Sequence, residues 1–260
     1  MSRRAAVLTG VAALLLGGCG EGAVRGSTPA APVAVAVAQG CPPATALHVD
    51  ARVRVGRGVG PLAIDQGRLW AARPAAGELV LVRTGARSRI ARRVRVGGAP
   101  VSLAAAFGNI WVADRDGGRI LRVGLVSAAV AQWAEVDAPV KIAVAGERLF
   151  AISLDDGALY ALNPRTRGAG VDIAIPARGP VDAVQQGGEL WVLGGGDSGL
   201  SPLDLRTGAF RRAGVRLPVR VVGAIAAGHG AVWAALPTAR AVARVDPASL
   251  SVGIGRASNG

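Results

Sequence analysis

The sequence predicts an all-β protein, a β-propeller of five blades with four antiparallel strands each, preceded by a signal peptide and a flexible tether. Three observations support this prediction: scarce aromatic residues recur at a nearly constant interval, short apolar segments alternate with turn residues, and no long segment after the signal shows helical periodicity. Repeats of about 40 residues with four strands each are typical of propeller blades. A ring of six blades, one of them degenerate, is the alternative.

The aromatic residues define the repeat. The chain contains five tryptophans, three phenylalanines and one tyrosine, and five of these nine residues occupy one position in successive repeats. They recur about every 40 residues, and each follows a glycine by three or four positions. Such a regular placement of rare residues indicates a structural repeat. The five are Trp70, Trp111, Phe150, Trp191 and Trp233.

Each repeat divides into four predicted strands, because apolar β-formers are bounded by Gly, Asp and Pro. In the first repeat the strands cover residues 62–64, 69–72, 79–82 and 89–96, and in the second residues 101–105, 110–113, 120–123 and 130–136. A proline precedes three of the aromatics at one constant spacing, whereas Pro61 stands two positions closer to Trp70, which predicts a shorter turn there. Turns are also predicted where the side chains of Asn163, Asp204 and Asp246 can bond nearby backbone N–H groups.

Two segments compete to be the closing strand. Residues 53–56, Val-Arg-Val-Gly, repeat the sequence of residues 94–97, so residues 47–55 are expected to be a fourth strand that closes the ring against the last blade. Residues 250–254 are the alternative fourth strand of that blade.

The pattern Pro…Gly-x-x-Trp…Asp-x-x-Thr-Gly, over about residues 46–256, resembles the bacterial YVTN, NHL and streptogramin-lyase-like (virginiamycin B lyase-like) propeller repeats. This resemblance implies the propeller fold. Relatives with lyase activity use histidine and glutamate near a metal at the mouth of the propeller. Neither His48 nor His229 matches that constellation, so the resemblance does not extend to lyase activity.

The N-terminus has the organisation of a bacterial lipoprotein. Arg3 and Arg4 precede an apolar segment, Ala5 to Leu16, which is too short to span a bilayer comfortably, and Leu-Gly-Gly-Cys ends the signal at Cys19. We therefore expect a signal peptide at 1–18, a lipidated Cys19 with a flexible Ala/Pro/Gly tether at 19–45, and the propeller at 46–260. Cys41 then has no intrachain partner. The predicted location is the outer face of the cell membrane, or the outer membrane of a cell with two membranes.

The formal net charge is +13, and loss of Arg3 and Arg4 leaves 13 − 2 = +11. Such a charge favours anionic lipid headgroups or acidic wall polymers as partners, and export excludes nucleic acid. One basic cluster stands out in the first repeat, where alternation predicts Arg87, Arg89, Arg93 and Arg95 on one strand face. A solvated edge that discourages aggregation is the alternative. The full cluster is Arg83, Arg87, Arg89, Arg92, Arg93 and Arg95.

The predicted inner strands place five residues around one mouth of the channel. Each stands two positions after the proline that precedes the repeat aromatic, or after Val222, which replaces this proline in the last repeat: Ala63, Ser102, Lys141, Asp182 and Ala224. We predict two alternatives for the polar members of this set. They form a small ligand site made of Ser102, Lys141 and Asp182, or Lys141 forms only a salt bridge with Asp182 of the next blade. We assign no catalytic residue, no metal ligand and no cofactor. The hairpin acids Asp114, Asp116, Asp155 and Asp156 are of the type that binds cations, but they also fit ordinary turns.

These observations predict a monomeric, membrane-anchored module of the cell envelope that binds a protein or an envelope ligand without catalysis. Two alternatives remain open at this point. The first is a lyase or hydrolase at the channel mouth, which requires Ser102, Lys141, Asp182 or His229 to cluster with carboxylates in a deep pocket. The second is an extracellular ligand sensor, which shares every sequence feature of the binding module.

Overall fold

The computed structural model describes residue 49 and residues 51–85, 87–168, 170–175, 179–196, 199–211, 214–218 and 222–256. These residues form five antiparallel sheets of four strands, each with its strands in sequence order, which confirms the predicted five-bladed propeller class. Within the described residues there is no α-helix, and none of their helical turns is long and apolar enough to cross a membrane.

The blades follow one another along the chain, and in each the first strand is innermost. Blade 1 contains β1 (Leu62–Asp65), β2 (Arg68–Arg73), β3 (Glu78–Arg83) and β4 (Arg89–Arg95). Blade 2 contains β5 (Pro100–Ala106), β6 (Asn109–Asp114), β7 (Arg119–Gly124) and β8 (Val130–Glu135). Blade 3 contains β9 (Pro139–Ala145), β10 (Arg148–Ser153), β11 (Ala158–Leu162) and β12 (Val171–Ile173). Blade 4 contains β13 (Pro180–Gln186), β14 (Glu189–Gly194), β15 (Gly199–Asp204) and β16 (Val215–Arg216). Blade 5 contains β17 (Ile225–Gly228), β18 (Ala231–Leu236), β19 (Ala241–Val245) and β20 (Val252–Arg256).

Four apolar cores hold consecutive blades together. We call the side of a blade that carries the repeat aromatic its aromatic face, and the other side its opposite face. In each core the aromatic face of one blade packs on the opposite face of the next, as Trp70 of blade 1 does on Ile110 and Val112 of blade 2. Trp111, Phe150 and Trp191 occupy the same place in the three other cores. The repeat aromatics therefore join blades instead of filling one central core.

The hairpins that join the first two strands of a blade have two-residue turns. Both turn residues have positive φ at Gln66-Gly67, Phe107-Gly108 and His229-Gly230, which is the conformation that matches the twist of paired strands. The turn of blade 1 is thus as long as that of blade 2, and the prediction of a shorter turn after Pro61 was wrong. Pro61 has the same spacing to its tryptophan as Ser102 has, so Pro61 corresponds to Ser102 and not to Pro100.

The predicted polar turns between the outer strands are present. The Asp204 carboxylate accepts hydrogen bonds from the N–H groups of Arg206 and Thr207, and Asp246 accepts from those of Ala248 and Ser249. The Thr207 N–H lowers the pKa of Asp204, and the Ser249 N–H lowers the pKa of Asp246. The stability that these turns contribute is present above the pKa of an unfolded aspartate and is lost as the pH falls through the lowered value.

The expected closing strand was wrong, because β20 completes blade 5 from within that blade by pairing with β19 along its whole length. The described residues of the competing segment, 49 and 51–55, lie outside the strands. They lie instead against blade 1, where Arg93 donates a hydrogen bond to the Val55 carbonyl oxygen and Arg73 donates one to the Arg57 carbonyl oxygen.

Candidate functional site

The inner strands position three of the polar residues that the sequence singled out. Ser102, Lys141 and Asp182 each pair with the residue two beyond the repeat aromatic, next to a β-bulge at the start of the inner strand. Ala224 lies at the same position in blade 5, just before β17. Ala63 does not belong to this set, because it lies opposite Trp70, two positions further along its strand.

These polar side chains form hydrogen bonds to the next blade. The Ser102 hydroxyl oxygen accepts a hydrogen bond from the N–H of Ile142 in blade 3 at 3.1 Å. The Asp182 carboxylate accepts one from the N–H of Ile225 in blade 5 at 3.0 Å and one from the N–H of Ala183 at 2.9 Å. Each bond satisfies a buried N–H of an inner strand, so these residues stabilise the junction between blades.

Lys141 and Asp182 form an ion pair across the junction between blades 3 and 4, with 2.5 Å between Nζ and Oδ1. Both carboxylate oxygens of Asp182 therefore have partners in the protein, and the residue is buried. Ser102 is also buried, and its bond leads to Ile142 instead of to this pair. The geometry leaves the ammonium group of Lys141 as the only partly exposed polar group of the three.

His229 lies apart from these residues, exposed in the two-residue turn between β17 and β18. In the described part of the chain, no three His, Cys, Asp or Glu side chains lie close enough together to hold a metal ion. His48, Cys19 and Cys41 lie outside the described residues.

Two of the hairpin acids, Asp114 and Asp156, have their carboxylates bound within the turn. Asp114 is fully buried, and its carboxylate accepts hydrogen bonds from the N–H groups of Ala99 and Gly117. Arg119 adds a charged hydrogen bond to the same carboxylate at 2.9 Å. Asp116 is exposed and faces Arg115 across 3.4 Å. Asp114 thus closes its own hairpin and holds the chain that enters blade 2.

Asp156 accepts hydrogen bonds from the hydroxyl groups of Ser153 and Tyr160. The bond from Tyr160 raises the pKa of this tyrosine to about 12, with burial and the charge of Asp156 as lesser causes. The protonated phenol is therefore the favoured form over the whole physiological range.

The arginine cluster forms the outer edge of blade 1, and all six side chains are exposed. We call Arg83, Arg87, Arg89, Arg92, Arg93 and Arg95 the arginine edge. A bulge at Ala91 in β4 interrupts the expected alternation: Arg92 pairs with Leu81 on the aromatic face, whereas Arg93 pairs with Val80 on the opposite face. Arg89 consequently does not share a face with Arg93 and Arg95.

Two residues of the arginine edge have internal partners. Arg93 binds Glu78 at 2.6 Å as well as the Val55 carbonyl oxygen, and Arg92 donates to the Ser127 carbonyl oxygen. Burial raises the pKa of Glu78, but the hydrogen bonds from Arg73 and Arg93 outweigh burial and leave this pKa below its ordinary value. Among the described residues, no side-chain hydrogen bond or ion pair is formed by the other four: Arg83, Arg87, Arg89 and Arg95.

Sequence reasoning missed two buried contacts. Glu189 is buried and pairs with Arg211. Trp133, which lies outside the aromatic repeat, packs edge-on against Trp111, and Arg122 lies over its ring at 4.5 Å. The Trp133 pairing had a signal in the sequence, because a second tryptophan in one repeat is unusual in a chain with nine aromatics.

No protein-family model and no curated protein matches the sequence. Solved structures match the fold. A catalytically inactive virginiamycin B lyase from Staphylococcus aureus with quinupristin is 18% identical, with a TM-score of 0.67 over 78% of this chain and 71% of that chain. A streptogramin B lyase is 12% identical, with a TM-score of 0.59 over 78% of this chain and 84% of that one. Kuenenia stuttgartiensis hydrazine synthase is 13% identical, with a TM-score of 0.65 over 82% of this chain and 69% of that one. These similarities confirm the propeller fold.

Replacing Asp182 with alanine leaves the N–H groups of Ala183 and Ile225 without an acceptor, so we expect a loss of about 2–4 kcal/mol in the free energy of unfolding. Lys141→Met keeps both of these hydrogen bonds but leaves Asp182 without its counter-ion, so it should cost less, about 1–2 kcal/mol. Urea unfolding of both variants measures the difference. Equal costs would contradict the assignment of Asp182 to the blade junction.

Asp114→Ala should cost about 3–5 kcal/mol, because it leaves Arg119 and two N–H groups of the hairpin region without their acceptor. The matched variant Asp116→Ala, in the same hairpin, should change stability by less than about 0.5 kcal/mol. Thermal and urea unfolding provide both values. A large loss in the Asp116 variant, or its reversal by added divalent cations, would favour a cation site in this hairpin.

Tyr160 is the only tyrosine of the chain, so absorbance at high pH reports its ionisation alone. The folded protein should titrate at about 12, the value that the bond to Asp156 produces, and Asp156→Asn should move the midpoint toward the ordinary 10. Since the pKa is raised by folding, the associated stability is present below 10 and is lost as the pH rises through 12. An unchanged midpoint in the variant would exclude the bond, provided circular dichroism shows both proteins folded.

Proposed function

We propose that this protein is a membrane-anchored propeller of the cell envelope and acts as a non-catalytic module that binds an anionic envelope surface or polymer. The observation that supports this proposal is the contrast between its two groups of polar side chains. Ser102 and Asp182 at the inner strands bond to neighbouring blades, whereas Arg83, Arg87, Arg89 and Arg95 at the outer edge project without a partner among the described residues. Of these two groups, the one with side chains available for a ligand is therefore cationic.

Guanidinium groups suit this role. Each presents several N–H donors in a plane that matches a phosphate or carboxylate, and it stays charged at every physiological pH. An arginine near an anionic membrane surface contributes about 1 kcal/mol, so several acting together produce useful affinity even though each alone is weak. The domain's positive charge adds long-range attraction to the same surface.

The entry point of the chain favours the same surface. Residues 55 and 57 are held on blade 1 by Arg93 and Arg73, so the segment that leads back toward Cys19 begins at the blade that carries the arginine edge. A lipid at Cys19 would keep this blade, more than the other four, close to the headgroups. The anchor and the arginine edge then act on one membrane as two weak signals that reinforce each other.

No observation favours the enzymatic alternative. A lyase or hydrolase needs titratable groups gathered around a substrate with their polar atoms free, and among the described residues Asp182 and Ser102 have theirs occupied while His229 lies on an exposed turn. The similarity to lyases is one of fold, and a propeller fold supports many activities.

Vesicle binding tests the arginine edge. The chain from residue 20 onward should sediment with vesicles that contain phosphatidylglycerol and not with neutral vesicles, and salt should weaken the binding. Changing Arg83, Arg87, Arg89 and Arg95 to Gln should weaken binding at least about tenfold. The matched control changes four exposed arginines of other blades to Gln, with the same loss of charge, and should have a much smaller effect: Arg148, Arg206, Arg216 and Arg240.

Fractionation of cells tests the anchor in the same proposal. The full chain should remain with membranes in high salt, whereas Cys19→Ser should associate with them only in low salt. Adding the four changes of the arginine edge to Cys19→Ser should release the protein at any salt concentration. Binding that is absent, insensitive to salt, or equally weakened by both sets of arginine changes would exclude the proposed surface.

A further inference from the structure

Five blades in a row have four junctions, and two blade faces remain: the opposite face of blade 1 and the aromatic face of blade 5. The four apolar cores join blades 1 to 2, 2 to 3, 3 to 4 and 4 to 5. In the described part of the chain no fifth core joins blade 5 to blade 1. We call these two faces together the seam.

The opposite face of blade 1 is uncovered at its inner strand. Leu62 is 38% exposed, whereas the residues at the same position in the other four blades are between 2% and 9% exposed. Ile64, which follows on the same face, is 72% exposed. The four residues that correspond to Leu62 are Leu103, Ile142, Ala183 and Ile225.

The aromatic face of blade 5 is uncovered in the same way. Trp233 is only half-buried, whereas the other four repeat aromatics are at most 2% exposed. Val242 is 43% exposed, and each residue that occupies its position in the other blades is fully buried. Those residues are Leu79, Ile120, Leu159 and Leu200. Both faces of the seam therefore carry the apolar residues of a junction without the neighbour that normally buries them.

The outer strand of blade 5 adds a flat shelf to the seam. Gly255 pairs with Val242 and Gly253 with Arg244, so β20 presents no side chain on this face. In the other four blades the position of Gly255 carries Val94, Ala134, Ile173 or Val215. A Cβ atom placed on either glycine would meet no other atom within 4 Å, so close packing in the described structure does not explain the glycines.

We propose that residues 33–38 of the tether, Val-Ala-Val-Ala-Val-Ala, occupy the seam as an added β-strand. Their alternation places all three valines on one face, which suits a strand with one buried side. No charged residue occurs between Arg25 and Asp50, so the segment can pack against the two apolar faces of the seam without desolvating a charged side chain.

The position of this segment in the chain also fits. Residues 53–55 have the same sequence as residues 94–96 at the end of the fourth strand of blade 1. They lie on the opposite face of blade 1, where the outer strand of a preceding blade would lie. Residues 33–38 come before them in the chain and overlap residues 37–42, where the 41-residue offset places the third strand of such a blade. The stretch from residue 39 to residue 50 spans up to about 40 Å when extended, which is enough to bring the segment back to the seam.

Charge favours this occupant over a second copy of the chain. A second copy would bring Arg240 and Arg244 of its blade 5 toward Arg54 and Arg95 of blade 1, and like charges at a junction oppose association. The uncharged tether carries no such penalty. With residues 33–38 bound, the free part of the tether shortens from 19–45 to 19–32, which also keeps the propeller closer to a lipid at Cys19.

The test uses the chain from residue 20 onward and changes Val33, Val35 and Val37 together to Ser. Hydrogen exchange should show protected amides at residues 33–38 in the unchanged chain and loss of this protection in the variant. The melting temperature should fall by about 5 °C. The matched control changes Ala34, Ala36 and Ala38 to Ser on the other face of the segment and should retain both properties.

A second variant measures the coupling between segment and shelf. Gly255→Leu should lower the melting temperature of the unchanged chain but not that of the variant with three serines, since the segment no longer occupies the shelf there. Unprotected amides at residues 33–38, or equal melting temperatures for the two serine variants, would overturn the proposal. A mass in solution that doubles with concentration and depends on Trp233 would do so as well, in favour of a second copy. None of these measurements depends on the lipid or on the arginine edge, so the proposed function stands or fails separately.

Discussion

A blade of this propeller has two apolar faces, and neither is stable in water without a neighbour. The sheets are built largely from Ala, Val and Leu, so each residue buries little area and the free energy of the fold must come from many blade-to-blade contacts. Each of the four junctions contains one bulky repeat aromatic among its smaller apolar residues, and such a side chain buries more area than several of those residues together. Because each blade must bury its apolar faces against its neighbours, the aromatics recur at a regular spacing, and the two faces without a neighbour expose apolar residues.

Apolar packing alone does not fix how one blade sits on the next, because flat surfaces of small residues can slide. Buried polar bonds between blades supply the missing register. The hydroxyl group of Ser102 and the carboxylate of Asp182 each accept a backbone N–H from the next blade, and the carboxylate of Asp114 accepts one from the chain that enters its own blade. Such bonds are specific to one arrangement, since a shift of one residue would leave a buried N–H and a buried carboxylate without partners. These polar residues differ from blade to blade, whereas the aromatics recur.

Much of the fold was predictable from the sequence because its signals are local. Two turn residues are enough to predict a hairpin, and one aromatic residue at a fixed spacing is enough to predict a contact between blades. Asp204 and Asp246 accept hydrogen bonds from nearby backbone N–H groups, as predicted, and Lys141 forms the predicted ion pair with Asp182 of the adjacent blade.

The bulge at Ala91 was not predictable, because one extra residue in a strand changes the face of every arginine before it without changing the composition. The two-residue error at Ala63 arose because Pro100 precedes a bulge and lies two positions before Ser102, whereas Pro61 of blade 1 itself takes the position of Ser102. The burial of Asp114 could not be read from the sequence either, because its carboxylate binds the N–H of Ala99, fifteen residues earlier in the chain.

Blade 1 differs from the others in two properties that affect each other. It carries the arginine edge, and it is the blade whose opposite face lacks a complete neighbour. Local opening of a repeat protein begins where the fewest contacts must be broken, so we expect blade 1 and the aromatic face of blade 5 to open first. An anion that binds the arginines of β4 stabilises the folded strand by an amount that grows with its concentration over its dissociation constant. Occupation of the seam stabilises the same blade from the other side. Because both events favour one folded state of blade 1, each must strengthen the other, and the coupling is reciprocal by thermodynamic linkage. A propeller tethered at this blade would therefore be most rigid where it meets the membrane and less so when detached from it.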